Sequence, residues 1–336
     1  MNRVAIVVLN YRGIEDTRTC LASLSQLSYP NFTIVAIENG SHDGSVVEFR
    51  KLESQYADKL VALYNETNLG FAGGVNTGIR WALEHDYDLI ALFNNDATAD
   101  PEWLTKLSKR LNDTPEASIA TGLLLHKGGE TIDSTGDWYS IWGLPFPRNR
   151  GDHSVHAPKS GMTFGATGGA TLYRAELFRT IGLFDERFFA YYEDVDISFR
   201  TQLTDRKVIY EADALAYHKQ GATSSKMPGF AVYQTFKNLP LLFWKNVPLG
   251  LMPLIAPRFL LAYILIYGNT FTHRSGWPAT KGLLRSLTLL PHAFRQRRHI
   301  QANKCASNRY IKDLLWHDLP PDQTGLRKFR RIFIGK

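Results

Sequence analysis

The residues that could do chemistry sit at the ends of apolar runs. Leu89-Ile90-Ala91-Leu92-Phe93 leads straight into Asn94-Asn95-Asp96-Ala97. The apolar run is too short for a typical helix and fits a strand buried on both faces. Its polar end would then lie where open α/β sheets bind ligands, outside the carboxyl ends of the strands. A carboxylate held there by a rigid element suits a divalent cation bound against a diphosphate, and Asp96 is that carboxylate. The same residues also read as a turn, with Asp96 capping a helix that starts near Pro101. A second dense stretch is Tyr191-Tyr192-Glu193-Asp194-Val195-Asp196, which leads into a helix. Asp194 opens its first turn, where the helix dipole favours a carboxylate. An acidic helix start explains the stretch equally well. His218 ends an extended segment, Ala212 to His218, where a buried, hydrogen-bonded histidine is the plain alternative.

The elements that must hold these residues follow from periodicity. Val4–Leu9, Phe32–Ile37, Leu60–Tyr64 and 88–93 read as strands, separated by helical spacing at 15–27, 45–56 and 76–84. This alternation predicts a parallel, doubly wound sheet. Each strand ends in a polar loop: Asn10-Tyr11-Arg12-Gly13, Glu38-Asn39-Gly40-Ser41-His42-Asp43-Gly44-Ser45, and Asn68-Leu69-Gly70-Phe71-Ala72-Gly73-Gly74-Val75-Asn76. Stacked at one sheet edge, such loops make a nucleotide pocket. The glycines at 70, 73 and 74 would allow close backbone approach, and a helix start behind them favours an anion. A tight turn explains them too. Their order is not the dinucleotide fingerprint, which argues against a nicotinamide-dependent oxidoreductase. Farther on, 101–112 reads as a helix, 114–126 as a strand, and 127–164 as an irregular surface excursion with β-ribbon. Gly165-Ala166-Thr167-Gly168-Gly169-Ala170 opens another strand, followed by a short helix at 175–181.

Composition sets the class. The chain has 336 residues, 44% hydrophobic and 21% charged, enough for a large domain with an appendage. Cys20 and Cys305 are its two cysteines, far apart and outside any zinc pattern, and a reducing compartment fits. The first apolar run is shorter than a signal-peptide core and reads as a buried strand. The net charge of +7 is unevenly spread: residues 227–336 hold 17 Lys and Arg against three acids. A basic segment rich in Leu, Phe and Trp suits an anionic membrane surface and not nucleic acid. Two units are therefore expected, 1–226 and 227–336. In the second, 247–267 is long enough to span a bilayer but contains Pro248, Pro253, Pro257 and Arg258. A broken hairpin or an in-plane amphipathic element fits better than a span. Residues 279–301 and the tail Arg327-Lys328-Phe329-Arg330-Arg331-Ile332-Phe333 interleave basic and apolar side chains in the same way.

Taken in order, these stretches make the chain resemble the inverting family-two glycosyltransferases of the GT-A fold, especially the bacterial rhamnosyltransferase-like branch. The match covers roughly residues 3–245 and closes at His218. The resemblance implies a Rossmann-like mixed α/β sheet flanked by helices, with a C-terminal helical, basic, membrane-associating segment. It implies a nucleoside diphosphate sugar donor bound by Asn10, Glu38, Asn68, Gly70, Gly73, Asn76, Asn95 and Gly169. Asn10 and Glu38 fall where the family contacts base and ribose, although Glu38 replaces the more usual Asp; Asp43 shapes the loop. Asp96 matches the last acid of the family's metal motif, whose first acid is Asn94 here, and His218 matches a late metal or diphosphate ligand. Mg²⁺ or Mn²⁺ is the implied cofactor. Asp194 matches the catalytic base, and Asp196 and Arg200 are structural or acceptor-side. The donor implied is dTDP-rhamnose, then a UDP-hexose. The acceptor implied is a saccharide or a lipid-linked saccharide, and the location is the inner face of the cytoplasmic membrane. A catalytically inactive nucleotide-sugar-binding protein on the same fold is the alternative.

Overall fold

The structure, a computed structural model, describes residues 1–219, 227–321, 323 and 325. The amino-terminal half runs β1 (Val4–Asn10), α1 (Ile14–Leu24), β2 (Phe32–Asn39), α2 (Ser45–Gln55), β3 (Leu60–Asn65), α3 (Gly70–Glu84), β4 (Leu89–Asn94) and β5 (Ala97–Ala99). Then come α4 (Trp103–Asn112), β6 (Ala117–His126), β7 (Ile132–Ser134), β8 (Asp137–Tyr139), β9 (Pro145–Pro147), β10 (Gly161–Thr163) and β11 (Ala170–Arg174). The chain continues through α5 (Ala175–Ile181), α6 (Glu193–Leu203) and β12 (Lys207–His218). The carboxyl-terminal helices are α7 (Phe230–Asn246), α8 (Met252–Thr272), α9 (Gly276–Ala302) and α10 (Asn308–Leu314).

Alternation along β1 explains the layers. Val4, Ile6 and Val8 pack with Leu21 and Leu24 of α1 and with Trp103 and Leu107 of α4 on one face. Ala5 and Val7 pack with Val75 and Ile79 of α3 on the other. Both faces are buried, so the strand is apolar at every position up to Asn10. Each buried Val, Leu or Ile contributes about 1.5–3 kcal/mol relative to exposure. The strand order is β10-β12-β6-β11-β4-β1-β2-β3, with β5 paired to β12 and β7 to β6. The sheet is mixed. β3, β2, β1 and β4 run parallel, and β11 runs antiparallel between β4 and β6. The strand–helix alternation predicted a parallel sheet; it covers only the amino-terminal half, and β11 enters beside β4 after a long excursion.

Other expectations change as well. The glycine-rich stretch is the start of α3 and not a loop. A Cβ at Gly74 would lie 2.5 Å from a Leu9 methyl and one at Gly78 2.8 Å from Val7. These glycines let the helix lie close against the sheet. Residues 127–164 are not a surface excursion: Asp133, Ser134, Thr135, Asp137, Tyr139 and Ser140 are all buried. Polarity there misled because those side chains face a cleft and a hydrogen-bonded interior instead of water. The extended segment expected from Ala212 to His218 is the second part of a longer strand, β12, with a register break between Glu211 and Leu215. Residues 252–272 form one helix; Pro253 occupies its first turn, where a missing N–H costs nothing. The basic tail 327–333 lies outside the described residues.

The carboxyl-terminal helices share a core with the middle of the chain. Tyr139, Phe164, Phe188 and Phe199 cluster with Phe236, Leu242, Phe243, Phe259 and Ile311. A buried ionic staple crosses the same boundary. Lys245 Nζ lies 2.6 Å from Asp185 Oδ2 and 2.9 Å from Asp196 Oδ1. His292 reaches Asp185 at 2.9 Å. Asn246 Nδ2 donates to Asp196 Oδ1 at 2.8 Å, and Arg200 Nε donates to Asp196 Oδ2 at 2.9 Å. The fully buried Asp196 therefore joins α6 to α7, and the nearly buried Arg200 braces it and ties α6 to the carbonyls of Ile181 and Leu183.

Removing one partner of such a pair leaves a buried charge uncompensated. Lys245→Met should lower stability by about 3–5 kcal/mol, read from a urea unfolding midpoint. Burial pushes the Asp185 carboxyl up, but the charges and hydrogen bonds of Lys245 and His292 together outweigh it and hold the group well below the usual carboxylate range. The stability this contributes is complete above the unfolded pKa of about 4 and is lost as acid protonates the folded carboxylate. Acidification from about pH 5 to about pH 3 should therefore cost the wild type more than it costs Lys245→Met.

Candidate active site

A cleft of about 880 Å³ opens at the carboxyl ends of β1 and β4, a volume typical of ligand sites. The sheet supplies Leu9, Asn39, Asn94, Asn95 and Asp96; Gly168 and Gly169 cross the floor; Tyr191 to Val195 and His218 complete the wall. The Gly168-Gly169 step holds two parts of the site together. The Asn94 N–H donates to the Gly169 carbonyl at 2.8 Å. One residue earlier, the Gly168 N–H donates to Asp194 Oδ2 at 3.0 Å. The polar end of β4 and the start of α6 are thus tied to adjacent peptides.

Strand pairing brings in His218. The end of β12 lies antiparallel to β5 with His218 opposite Ala97. His218 Nε2 consequently sits 2.9 Å from Asp96 Oδ1. Its Nδ1 sits 2.7 Å from Asp133 Oδ2, which comes from β7 and is almost fully buried. Arg150 Nη2 lies 2.9 Å from the other Asp133 oxygen. Burial works against a charged imidazole, but the hydrogen bonds to Asp133 and Asp96 outweigh it and push the His218 pKa to about 9. Among the described residues no three His, Cys, Asp or Glu side chains gather as a self-sufficient metal site. A Mg²⁺-like ion that takes only one or two protein ligands, with phosphate oxygens and water in its other positions, would fit beside Asp96 by displacing the Nε2 proton of His218. A carboxylate behind the far nitrogen, as Asp133 is here, is the usual way to orient a ligating histidine.

Three carboxyls line the other side of the cleft: Asp137, Glu193 and Asp194. Burial raises the Asp194 carboxyl above its ordinary pKa, while N–H donors from Gly168 and Val195 oppose the shift by favouring its charged form. Glu193 is more strongly affected: burial, then the Asp194 charge, push it to about 8. Its Oε2 has no hydrogen-bond partner. Both carboxyls of this adjacent pair thus hold a proton more tightly than free ones, and Asp194 is the member with N–H donors that favour its charged form. A half-buried carboxylate with a raised pKa is suited to accept a proton from a hydroxyl.

The loop before Asp194 is strained. Phe189, Tyr191 and Tyr192 have φ of 64°, 70° and 72°, unfavourable for bulky side chains. α7 holds it. Asn238 Nδ2 donates to the carbonyls of Phe188, Ala190 and Tyr191 at 3.0, 2.8 and 2.8 Å. Lys237 Nζ donates to Phe188 O at 3.0 Å. On the other side, Gly70 has φ +71°, and a Cβ there would lie 2.4 Å from Phe189 O.

Of the residues expected at the site, Asn68, Gly70, Asn95, Asp96, Gly169, Asp194 and His218 line the cleft. Asn10, Glu38, Gly73 and Asn76 lie behind its wall. Asn10 Oδ1 accepts from Thr17 Oγ1 at 2.9 Å. Glu38 accepts from the Gly40 and Ser41 N–H groups at 3.0 Å each and shapes the loop after β2. Asn76 Nδ2 donates to Phe184 O at 2.9 Å, and Gly73 sits in α3 with Leu69 Cβ 2.8 Å from the position of an added Cβ. Asp43 accepts from the Ser45 N–H and hydroxyl at the start of α2. Asp133, Asp137, Arg150, Lys237 and Asn238 were not singled out by sequence. The only signal for the first three is an acid at 133 and 137 and a base at 150 within an otherwise irregular stretch; for Lys237 and Asn238 there is none.

Residues 4–182 match the sequence profile described as Glycosyl transferase family 2. The chain is similar to an O-antigen biosynthesis protein of Myxococcus xanthus, 26% identical over 233 residues, which are 66% of this chain but 18% of that much longer protein. It is similar to a dTDP-rhamnosyl transferase of Shigella flexneri, 24% identical, covering 74% of this chain and 82% of the relative. It is also similar to an N-acetylglucosaminyl-diphospho-decaprenol L-rhamnosyltransferase of Mycobacterium tuberculosis, 24% identical, covering 66% and 78%. Among solved structures, a mannosyltransferase from Pyrobaculum calidifontis in complex with GDP-Man and Mn²⁺ shares the fold, with a TM-score of 0.55 and 14% identity over 99% of this chain and 81% of that one.

Truncating Asn238 leaves the Ala190 and Tyr191 carbonyls of the strained loop without their donor, at a cost of about 1–3 kcal/mol. Asn238→Ala should speed amide hydrogen exchange at 189–195 more than in the sheet. Unchanged exchange there would show that the loop is held by something else.

Proposed function

The chain belongs to glycosyl transferase family 2, and from that premise we propose that it is a metal-dependent inverting transferase with the Gly168-bound Asp194 as its base. It moves a sugar from a nucleoside diphosphate to a hydroxyl of a saccharide or lipid-linked saccharide. The supporting observation is that Asp194 and the Asp96–His218 pair face one cleft, joined through adjacent peptides. The donor diphosphate lies on the Asp96 side, and the acceptor hydroxyl on the Asp194 side. Asp194 takes the hydroxyl proton as the acceptor oxygen bonds to the anomeric carbon and the carbon–phosphate-oxygen bond breaks. One displacement and one base invert the configuration; no second nucleophilic carboxylate is required. Asp96 and His218 hold Mg²⁺ or Mn²⁺, which when bound neutralises charge on the departing diphosphate. Asn68, Gly70, Asn95 and Gly169 face the donor, whereas Asn10, Glu38, Gly73 and Asn76 shape the wall behind it.

We take dTDP-rhamnose as the donor, on the strength of the two rhamnosyl-transferring relatives. A UDP-hexose is the second reading. An inactive binding protein is disfavoured, because Asp96 and Asp194 are both retained at the cleft.

The same proposal places the enzyme on the inner face of the cytoplasmic membrane. Leu249–Thr272 is long and apolar enough to cross a membrane by length and composition, with mean hydropathy 2.0. It also packs through Ile255, Phe259 and Ala262 on the protein, while Leu260, Ile264 and Phe271 are exposed. On α9, exposed Trp277, Leu284, Leu287 and Phe294 adjoin exposed Lys281, Arg285, Arg295 and Arg298. Apolar side chains flanked by cations suit an element lying in the plane of an anionic bilayer.

A panel of nucleotide sugars with and without Mn²⁺, read by thermal shift and by release of nucleoside diphosphate, tests donor and metal together. Asp194→Asn should lose at least about 10²–10⁴ of the transfer rate while keeping donor affinity. Near-normal turnover in that variant would sink the assignment. Asp96→Ala should abolish the Mn²⁺-dependent part of the thermal shift, and an undiminished shift counts against the metal role. Vesicles with anionic lipid should pull down the wild type at low salt and release it at high salt; an Ile264→Glu/Leu284→Glu variant should stay in solution under both. Equal behaviour of the two proteins removes the membrane surface from the proposal.

A further inference from the structure

Asp137 is the buried carboxyl that the mechanism leaves unused. It is 6% exposed, yet it lines the cleft, and its Oδ2 has no hydrogen-bond partner. Burying a polar oxygen without a partner is costly, which makes this atom a candidate for contact with something that enters the cleft. Glu193 Oε2 is a second such atom in the same cleft.

The position of Asp137 is built into the backbone. Its N–H donates to Gly165 O at 2.9 Å, and its carbonyl accepts from Gly165 N at 3.0 Å. The same short segment ends at Gly168, whose N–H holds Asp194. Three residue steps separate the two anchor points, so they lie within roughly 10 Å of each other. β8 pairs with β9, placing Phe146 opposite Trp138 and Pro147 opposite Asp137. Pro145, Phe146 and Pro147 also line the cleft.

This neighbourhood is a poor place for a diphosphate, because any charge that Asp137, Glu193 and Asp194 carry there is negative. A neutral ring with several hydroxyls on one side and C–H groups on the other fits both the orphaned carboxyl oxygens and the apolar ribbon. Burial, and then the Asp194 charge, keep the Asp137 carboxyl well above its ordinary pKa, so it can donate as well as accept.

We propose that Asp137 and the β8–β9 ribbon form the acceptor subsite, in which the Asp137 carboxyl binds a pyranose hydroxyl other than the one that Asp194 deprotonates. The proposal rests on the glycosyltransferase reading above and assigns the part of the cleft that reading leaves open. Asp137 selects the acceptor and does not take part in bond breaking.

The test uses the full chain and a panel of octyl glycosides of glucose, galactose, mannose, rhamnose and N-acetylglucosamine. Asp137→Asn and Asp137→Ala are compared with the wild type, with melting temperatures confirming that each is folded. Expected is a KM for the preferred glycoside raised about 10- to 100-fold, largest for Ala. The Kd for the nucleoside diphosphate and the slow hydrolysis of donor without acceptor should not move. A monodeoxy glycoside lacking the bound hydroxyl should be disfavoured by the wild type and not by Asp137→Ala. Folded variants with unchanged KM overturn the subsite alone. Weakened nucleotide affinity also overturns it, by moving Asp137 to the donor side. So does a wild type that hydrolyses donor but uses no glycoside. A wild type that turns over no nucleotide sugar at all overturns the proposed function and the subsite with it.

Discussion

The structure depends on the two peptides at Gly168 and Gly169. One N–H grips Asp194, and one carbonyl receives the N–H of Asn94. Through them a carboxylate from the start of α6 and a carboxylate from the end of β4 keep a fixed relation, although about a hundred residues of chain separate them. Backbone hydrogen bonds suit this task better than side-chain contacts, because these groups lie on the turn that leads directly into β11, which is fixed inside the sheet. Residues in sheet strands lose little further freedom when they make such a bond, and the buried carboxylate gains donors that favour its charge.

A second constraint comes from outside the sheet. The loop carrying Tyr191 and Tyr192 is held in an unfavourable backbone conformation, and the bonds that offset this come from Lys237 and Asn238 on α7. α7 is in turn held by the Lys245 staple and by an aromatic core shared with residues 139–199. The basic, apolar carboxyl-terminal helices are therefore not a mere appendage. They build one wall of the cleft from behind, through Lys237 and Asn238, while other side chains of the same helices are the exposed apolar ones of the proposed membrane face.

Much of the fold was legible because short continuous apolar runs and the polar loops that end them are local signals. Val4–Leu9, Phe32–Ile37 and Leu89–Phe93 are buried on both faces wherever they pair, so their composition alone identifies them. The glycine-rich start of α3 misled because glycine has the same sequence signature in a phosphate loop and at a close helix–sheet contact; only Leu9 and Val7 across the gap distinguish the two. Asp133 and Asp137 were hidden by a polar stretch that looks solvated, since sequence cannot tell a side chain facing water from one facing a cleft.

The sequence by itself determined the strands, the polar strand ends, the acidic start of α6 and the basic carboxyl-terminal third. These depend on neighbours within a few residues. Tertiary structure alone decided that β11 runs antiparallel between β4 and β6 and that His218 lies between Asp96 and Asp133. It alone decided that Asp194 meets two N–H donors that favour its charge while the Glu193 Oε2 meets none. Those outcomes depend on which distant backbone donors and carboxylates come within a few ångströms, and on how much water they exclude. No pattern of spacing along the chain carries that information.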